Sequence, residues 1–253
     1  MSSSKRTALN PLGFIFIELP TVESTNNYAM GMIHEGMAQH GTAVFTHDQT
    51  KGKGQRNKSW VSEKDQNIAL SLIIEPKPLV LSQVFLLSMT VATGVLHFFN
   101  NHVKYDVKVK WPNDIYWCDR KAGGILIENV IKADKWKFAI AGVGLNINQT
   151  DFGELNKKAV SLRQITGRKE DPLNLAKELC SYLYNQYDKL LKDPSMIVKE
   201  YQEHLYKRNE TVKLKQGSRV FEGEIINVTN NGELVVRHSI EEVFKVGEIE
   251  WVV

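Results

Sequence analysis

Cysteine is scarce in this chain. Cys118 and Cys180 stand 62 positions apart with no C-x-x-C, so neither a disulfide framework nor a thiolate zinc site is indicated, and a reduced cytoplasm is the expected compartment. The polar N-terminus, Met1 to Asn10, has no apolar signal core. The greasiest stretch, Leu79 to Phe99, is broken by Ser82, Gln83, Ser88, Thr90, Thr93 and His97. Neither export nor a membrane span is expected. An excess of one charge is also missing: 32 Lys and Arg against 29 Asp and Glu leave +3, too little to argue for nucleic acid but suited to acidic ligands or an acidic partner. There is no DNA-binding motif, internal repeat or low-complexity linker.

What is present is enough apolar residue, 42% of 253, to bury one large core beside a small one. The stretch Thr46 to Trp60 stands out. Gly52 and Gly54 leave backbone N–H groups open to close approach, and Lys51, Lys53, Arg56 and Lys58 set cations beside them, a combination suited to phosphate. Two known phosphate loops nearly fit and fail at one residue, Asn57, where each needs glycine. Both would also open a helix, whereas Asn67 to Ile74 reads as a strand, so this is a strand-loop-strand.

In chain order, residues 1 to 13 read as a loose tail and Phe14 to Leu19 as a strand. Ser24 or Thr25 caps a helix running to about Glu35 and stopped by Gly36. Ser24, Thr25 and Asn26 could hydrogen-bond a small polar head group if that helix start faces the glycine loop. Thr42 to Thr46 delivers the loop, Ser82 to about Asn100 is a buried helix, and Val107 to Trp111, Ile115 to Trp117 and Lys121 to Asn129 are strands joined by turns at Pro112-Asn113-Asp114 and Asp119-Arg120.

Lys121 stands two residues from Gly123, on one face of a strand that gives up its packing there. From Trp136 to Asn148, Val143, Leu145 and Ile147 share one face while Gly142, Gly144, Asn146 and Asn148 share the other. Bare backbone flanked by amides can seat a ligand. Further on, Asp171-Pro172 starts one helix, Pro194 to about Arg208 forms another, and five short strands from Thr211 suggest a small SH3-like barrel.

Five blocks carry a resemblance: Glu23-Ser-Thr-Asn, Gln49-Thr-Lys-Gly-Lys-Gly-Gln-Arg, Lys110-Trp-Pro-Asn-Asp, Arg120-Lys-Ala-Gly-Gly-Ile-Leu and Gly142-Val-Gly-Leu-Asn-Ile-Asn. Their order and spacing resemble the biotin protein ligases over residues 14 to 253. The resemblance implies an α+β fold, a mixed central sheet flanked by helices (the biotin/lipoate ligase-like catalytic domain, 14–208), with a small C-terminal SH3-like β-barrel at 209–253. It implies activation of biotin by ATP and magnesium to biotinyl-5'-AMP, then transfer to a lysine of a biotin carboxyl carrier protein.

Carried over, it makes Ser24, Thr25 and Gln49 partners of the biotin ureido ring, with Asn26, Gly52, Lys53, Gln55, Arg56, Gly123, Gly124 and Gly142 also at biotin. It sets Trp60 against adenine, and Asn67 and Asn146 on the adenine edge. Lys53, Arg56, Asn113 and Gly144 join the nucleotide site. Lys121 lies between biotin carboxylate and α-phosphate, Lys110 lies near the phosphates, and Asp114 lies near the incoming lysine or the magnesium, which rides on the phosphates with no protein metal site.

Gln55 replaces an arginine common at that place, leaving open whether Arg56, Lys53 or Lys58 supplies the charge. Asn57, where the family usually has a third glycine, tolerates a left-handed backbone. Some members add an N-terminal helix-turn-helix that represses transcription. Thirteen residues cannot hold one, so a ligase without that role, and without specific DNA, is expected. Edge strands of the central sheet can pair two chains into a homodimer, and the sequence fits a monomer equally well. The rivals are a lipoate- or octanoate-attaching ligase, a biotin- or nucleotide-binding protein without chemistry and, more remotely, a transcriptional corepressor.

Overall fold

The computed structural model describes residues 5–104 and 107–252, the Asn57 side chain excepted. Within the segment expected as a loose tail, whose residues 1–4 lie outside the described ones, β1 (Arg6–Leu9) folds back antiparallel to β2 (Ile15–Leu19). The reason is local: the Asn10 side chain accepts from the N–H groups of Leu12 (2.9 Å) and Phe14 (3.1 Å) and closes the turn.

Helix α1 (Thr25–His34) starts where Ser24 Oγ accepts from Asn27 N–H, and the chain leaves it through Gly36 at φ +72°. β3 (Ala43–Thr46) and β4 (Ile68–Ile74) flank the glycine loop. α2 (Val84–His102) has the length and composition of a membrane-crossing helix. It is spent on the core instead: Leu87, Val95, Leu96, Phe98 and Phe99 have no exposed surface, each burial contributing roughly 1.5–3 kcal/mol.

β5 (Val107–Lys110), β6 (Asp114–Trp117), β7 (Arg120–Lys132) and β8 (Lys135–Leu145) complete a sheet of order β1-β2-β3-β4-β8-β7-β6-β5, in which only β2 and β3 run parallel. α3 (Leu162–Thr166) is capped by Ser161 and α4 (Pro172–Lys192) by Asp171. α5 (Pro194–Glu203) ends five residues short of the expected Arg208. There the chain leaves the helix to pair with the β5 edge: Val109 N–H donates to the His204 carbonyl and Tyr206 N–H to the Val109 carbonyl, both at 2.9 Å.

The last strands, β9 (Thr211–Gln216), β10 (Arg219–Val228), β11 (Leu234–Arg237), β12 (Glu241–Phe244) and β13 (Glu250–Trp251), form an antiparallel sheet of order β12-β11-β10-β9-β13. The expected barrel does not close. Its edge strands β12 and β13 pair inward only, and β13 is two residues long, too short to bridge the gap.

The two faces of the large sheet differ. Ile68, Leu70, Leu72, Val143, Leu145 and Ile125 face the core shared with α2 and α4. The opposite face packs Ala29, Met32 and Ile33 of α1 over Ile17, Val44, Ile73 and Ile140. α1 covers that face only as far as Gly142, and the uncovered part becomes the floor of a cavity.

Candidate active site

Strand pairing lines up one transverse row on this floor. Ala69 of β4 pairs with Gly144 of β8, Gly144 with Gly124 of β7, Gly124 with Asp114 of β6, and Asp114 with Lys110 of β5. Paired residues share a face, so the row runs from nearly bare backbone to charge. A parallel row, Ser71, Gly142 and Leu126, lies beside it.

A β-bulge decides which glycine joins Lys121. The register slips between Ile115 and Tyr116: Tyr116 pairs with Lys121 but Ile115 with Gly123, leaving Ala122 extra. Lys121 therefore shares its face with Gly124, not with Gly123. Its ammonium lies 2.8 Å from Asp114 Oδ1, and a Cβ on Gly124 would stand 3.3 Å from Lys121 Nζ. Gly123 faces the core, where a Cβ would overlap the Leu145 side chain. The expectation that Gly123 seats the ligand is corrected accordingly.

The floor encloses a cavity of about 960 Å3 whose walls include Ser24, Asn26, Gln49, Lys53, Gln55, Arg56, Trp60, Lys110, Asn113, Asp114, Lys121, Gly124, Gly142, Gly144 and Asn146. Thr25, Gly52, Gly123 and Asn67, also expected at the ligand, are not in its walls. Thr25 acts through Gln49, to whose Oε1 its N–H (2.9 Å) and hydroxyl (3.2 Å) both donate. The Gln49 carbonyl is thus occupied, and its NH2 edge is left for the cavity. The single Ser71 hydroxyl proton is shared between Thr25 Oγ1 (2.7 Å) and Asn26 Oδ1 (2.5 Å), both of which accept. Asn26 Nδ2 donates to Glu128 Oε2 at 2.8 Å, and Lys53 Nζ stands 3.9 Å from the other Glu128 oxygen.

Gly142 and Gly144 are bare for protein side chains first. A Cβ on Gly142 would overlap the Asn26 amide, and one on Gly144 would lie 2.5 Å from the Trp60 ring. Asn67 does not read a ligand edge in this arrangement. Its Nδ2 donates to Gln149 Oε1 (2.5 Å) and its Oδ1 accepts from Ile147 N–H (2.9 Å), a buried strap. Asn146 gives its NH2 to the carbonyls of Lys121 (3.3 Å) and Val160 (3.2 Å) but lines the cavity. Asn113 Nδ2 donates to the Ile125 carbonyl at 2.5 Å, tying its turn to β7.

The glycine loop is a short hairpin. Trp60 N–H donates to the Gly52 carbonyl (2.9 Å), Lys53 pairs with Ser59, and Gly54 N–H donates to the Lys58 carbonyl (2.7 Å). Gly52 serves the hairpin itself, since a Cβ there would overlap the Trp60 carbonyl. At the tip Arg56, not Asn57, takes the left-handed backbone (φ 54°, ψ 48°). The Arg56 guanidinium lies against Gly247 of the small sheet.

Sequence reasoning missed two walls. One is the segment Gln149 to Ala159, which brings Phe152, Leu155 and Lys158. It is brought there by the pairing of Lys121 with Ala159, which no local pattern announces. The other is Ile249, Glu250 and Trp251 of the small sheet. Lys110, 8% exposed, is held down to about 8 by burial, against the pull of Asp114 and with repulsion from Lys121 and Lys158.

A sequence model of the biotin/lipoate A/B protein ligase family matches residues 18–146, just over half of the chain. The chain belongs to this family. It is 32% identical over 163 residues to the bifunctional ligase/repressor BirA of Bacillus spizizenii, covering 63% of this chain and 50% of the relative. To the BirA of Bacillus subtilis it is 34% identical over 137 residues, 53% of this chain and 42% of the relative. The chain thus spans about half the length of the curated relatives it matches. Among ligase-family folds, the biotin protein ligase of Aquifex aeolicus in complex with biotin and ATP superposes with a TM-score of 0.78 at 24% identity, covering 93% of this chain and 97% of that one. The Leishmania major biotin protein ligase in complex with biotinyl-5-AMP gives 0.65 at 22% identity, with 90% and 97% covered. These place the family's fold on both sheets.

Proposed function

We propose that this protein is a biotin protein ligase, joining biotin to AMP at the expense of ATP and passing it to a lysine of a carrier domain. The observation that carries this is the transverse row: one cavity joins a pocket of fixed amides and hydroxyls to a cluster of lysines across a floor that has glycine at 124, 142 and 144. Residues 14–208 would form the catalytic domain and 209–253 a wall of the same cavity. At about 960 Å3 the space is at the upper end for small-ligand sites, as a vitamin joined to a nucleotide needs.

Ser24, Asn26 and the Gln49 NH2 would hold the ureido ring, a group with two N–H donors and one carbonyl acceptor. In the first step a biotin carboxylate oxygen bonds the α-phosphorus of ATP and pyrophosphate leaves with the electrons of the broken P–O bond. Two anions brought to about 4 Å repel by roughly 4 kcal/mol per pair of unit charges at an effective dielectric near 20, about three decades in rate. Lys121, fixed by Asp114, with Lys110 and Lys158 would offset that repulsion. In the second step the carrier's lysine amine attacks the mixed anhydride carbonyl and AMP leaves. Trp60, Phe152 and Leu155 would cover the adenylate and keep water out.

Magnesium enters as part of the ATP substrate. Asp114, paired with Lys121, would lie beside the phosphates that carry the ion. The test is pyrophosphate release from ATP, expected only with biotin present and lost in Lys121→Ala, followed by mass spectrometry of a carrier domain. Release driven by lipoate or octanoate would move the reading to the neighbouring ligases. Tight biotin binding without transfer would make this a binding protein.

A further inference from the structure

Lys110 sits in a box of three aromatic rings. Its ammonium lies 4.6 Å from the Tyr116 ring centroid, 5.0 Å from Trp251 and 5.6 Å from Tyr206, and it donates to the Tyr116 hydroxyl at 3.2 Å. The box is assembled from three distant parts of the chain: β6, the turn after α5, and β13. Tyr206 is itself anchored, its hydroxyl 2.7 Å from Asp119 Oδ1, which also takes Lys207 at 3.4 Å. Trp251 offers its face only, because its Nε1 is buried without a partner among the described residues.

We propose that Trp251 and Tyr206 are positioning residues for Lys110: the small sheet takes part in the reaction by aiming this ammonium, through two aromatic faces, along the cavity floor at the phosphates. An unconstrained lysine has four rotatable bonds and sweeps several ångströms, at a side-chain entropy cost of roughly 2 kcal/mol when it is fixed. The box removes that freedom before substrate arrives. Each cation–π contact favours the charged ammonium by about 0.5–2 kcal/mol, while exclusion of water disfavours it. The charged groups around Lys110 act from every side. Asp114 and Asp119 attract, Lys121 and Lys158 repel, Tyr116 accepts a hydrogen bond, and Glu250 lines the same cavity. Burial is the largest influence, so opening the box should return the ammonium toward ordinary lysine behaviour.

This role rests on the cavity taking ATP, and the test has one arm that does not. Trace competitive acetylation across pH, with peptide mass spectrometry, reads the titration of Lys110 directly in the full chain. Wild type is expected to titrate near 8, Trp251→Leu about one pH unit higher as water enters, and Trp251→Phe, which keeps a ring face, as wild type. In the kinetic arm, KM for ATP should rise roughly 5-fold in Trp251→Leu, as loss of about 1 kcal/mol would give, with KM for biotin unchanged. The alkaline limb of kcat/KM for ATP should move to higher pH and return with Trp251→Phe. Unmoved titration and an unmoved alkaline limb in Trp251→Leu would overturn the proposal, as would equal losses in the Phe and Leu variants. Absence of biotin-dependent pyrophosphate release in wild type would instead strike the ligase reading, while the acetylation arm would still decide the box.

Discussion

Gly142→Ala tests the floor at its most constrained point. The new Cβ would overlap Asn26 Oδ1 and lie 3.0 Å from Asn26 Cγ and 3.1 Å from Nδ2, so the amide must retreat by about 1 Å to reach ordinary contact. Asn26 is not free to retreat. Its Oδ1 accepts from Ser71 at 2.5 Å and its Nδ2 donates to Glu128 at 2.8 Å. Losing one buried neutral hydrogen bond and one partly buried charge-assisted one costs about 3 kcal/mol. For a chain of this size that lowers Tm by roughly 6–12 °C. Differential scanning calorimetry measures this loss, and isothermal titration with biotin should show affinity weakened by about tenfold or more as Asn26 leaves its place. Pairing the change with Asn26→Ala should make the double variant less unstable than the sum of the singles, since the clash disappears. A Tm within about 2 °C of wild type and an unchanged biotin affinity would refute the reasoning that Gly142 exists to admit a fixed amide.

Two further outcomes follow from the same contacts. Gly52→Ala should open the loop hairpin, because its Cβ would overlap the Trp60 carbonyl and lie 2.6 Å from Gln49 Nε2; limited trypsin digestion should then cut faster after Arg56 and Lys58, and equal rates would count against the packing described. Lys110 carries a pKa lowered from 10.5 to about 8, so between those values the unfolded chain binds the proton more tightly and stability rises with pH. Below 8 the cost of burying the ammonium is fully present. Urea unfolding across pH 8 to 10.5 should show that rise in wild type and a flatter profile in Lys110→Met; parallel profiles would deny the burial its role.

Much of the fold was legible because the signals were local. Ser24 and Asp171 capped helices where their side chains predicted, and Gly36 stopped one. Five short strands also followed from Thr211, as expected. Legibility failed where long-range pairing overrode local pattern. Arg6 to Leu9 looked unstructured but found the open edge of β2. Simple alternation placed Lys121 with Gly123, and only the extra residue Ala122 turned Lys121 toward Gly124. Asn67 carried the residue type of a ligand reader, yet its neighbours Gln149 and Ile147 used both ends of its amide. Nothing in sequence distinguishes an amide that meets a ligand from one that holds two strands together, since the hydrogen-bonding groups are the same.

By itself the sequence determined which chemistry was on offer: lysines beside glycines, buried amides, and a family pattern in five blocks. Those depend on residue type and near-neighbour spacing, which a chain carries before it folds. The tertiary structure alone decided which groups share a surface. Ala69, Gly144, Gly124, Asp114 and Lys110 are far apart in sequence and adjacent across the sheet, because strand register, not chain distance, sets which side chains meet. The same holds for Trp251, two residues from the end of the chain, whose ring reaches Lys110 only after the small sheet docks against β5.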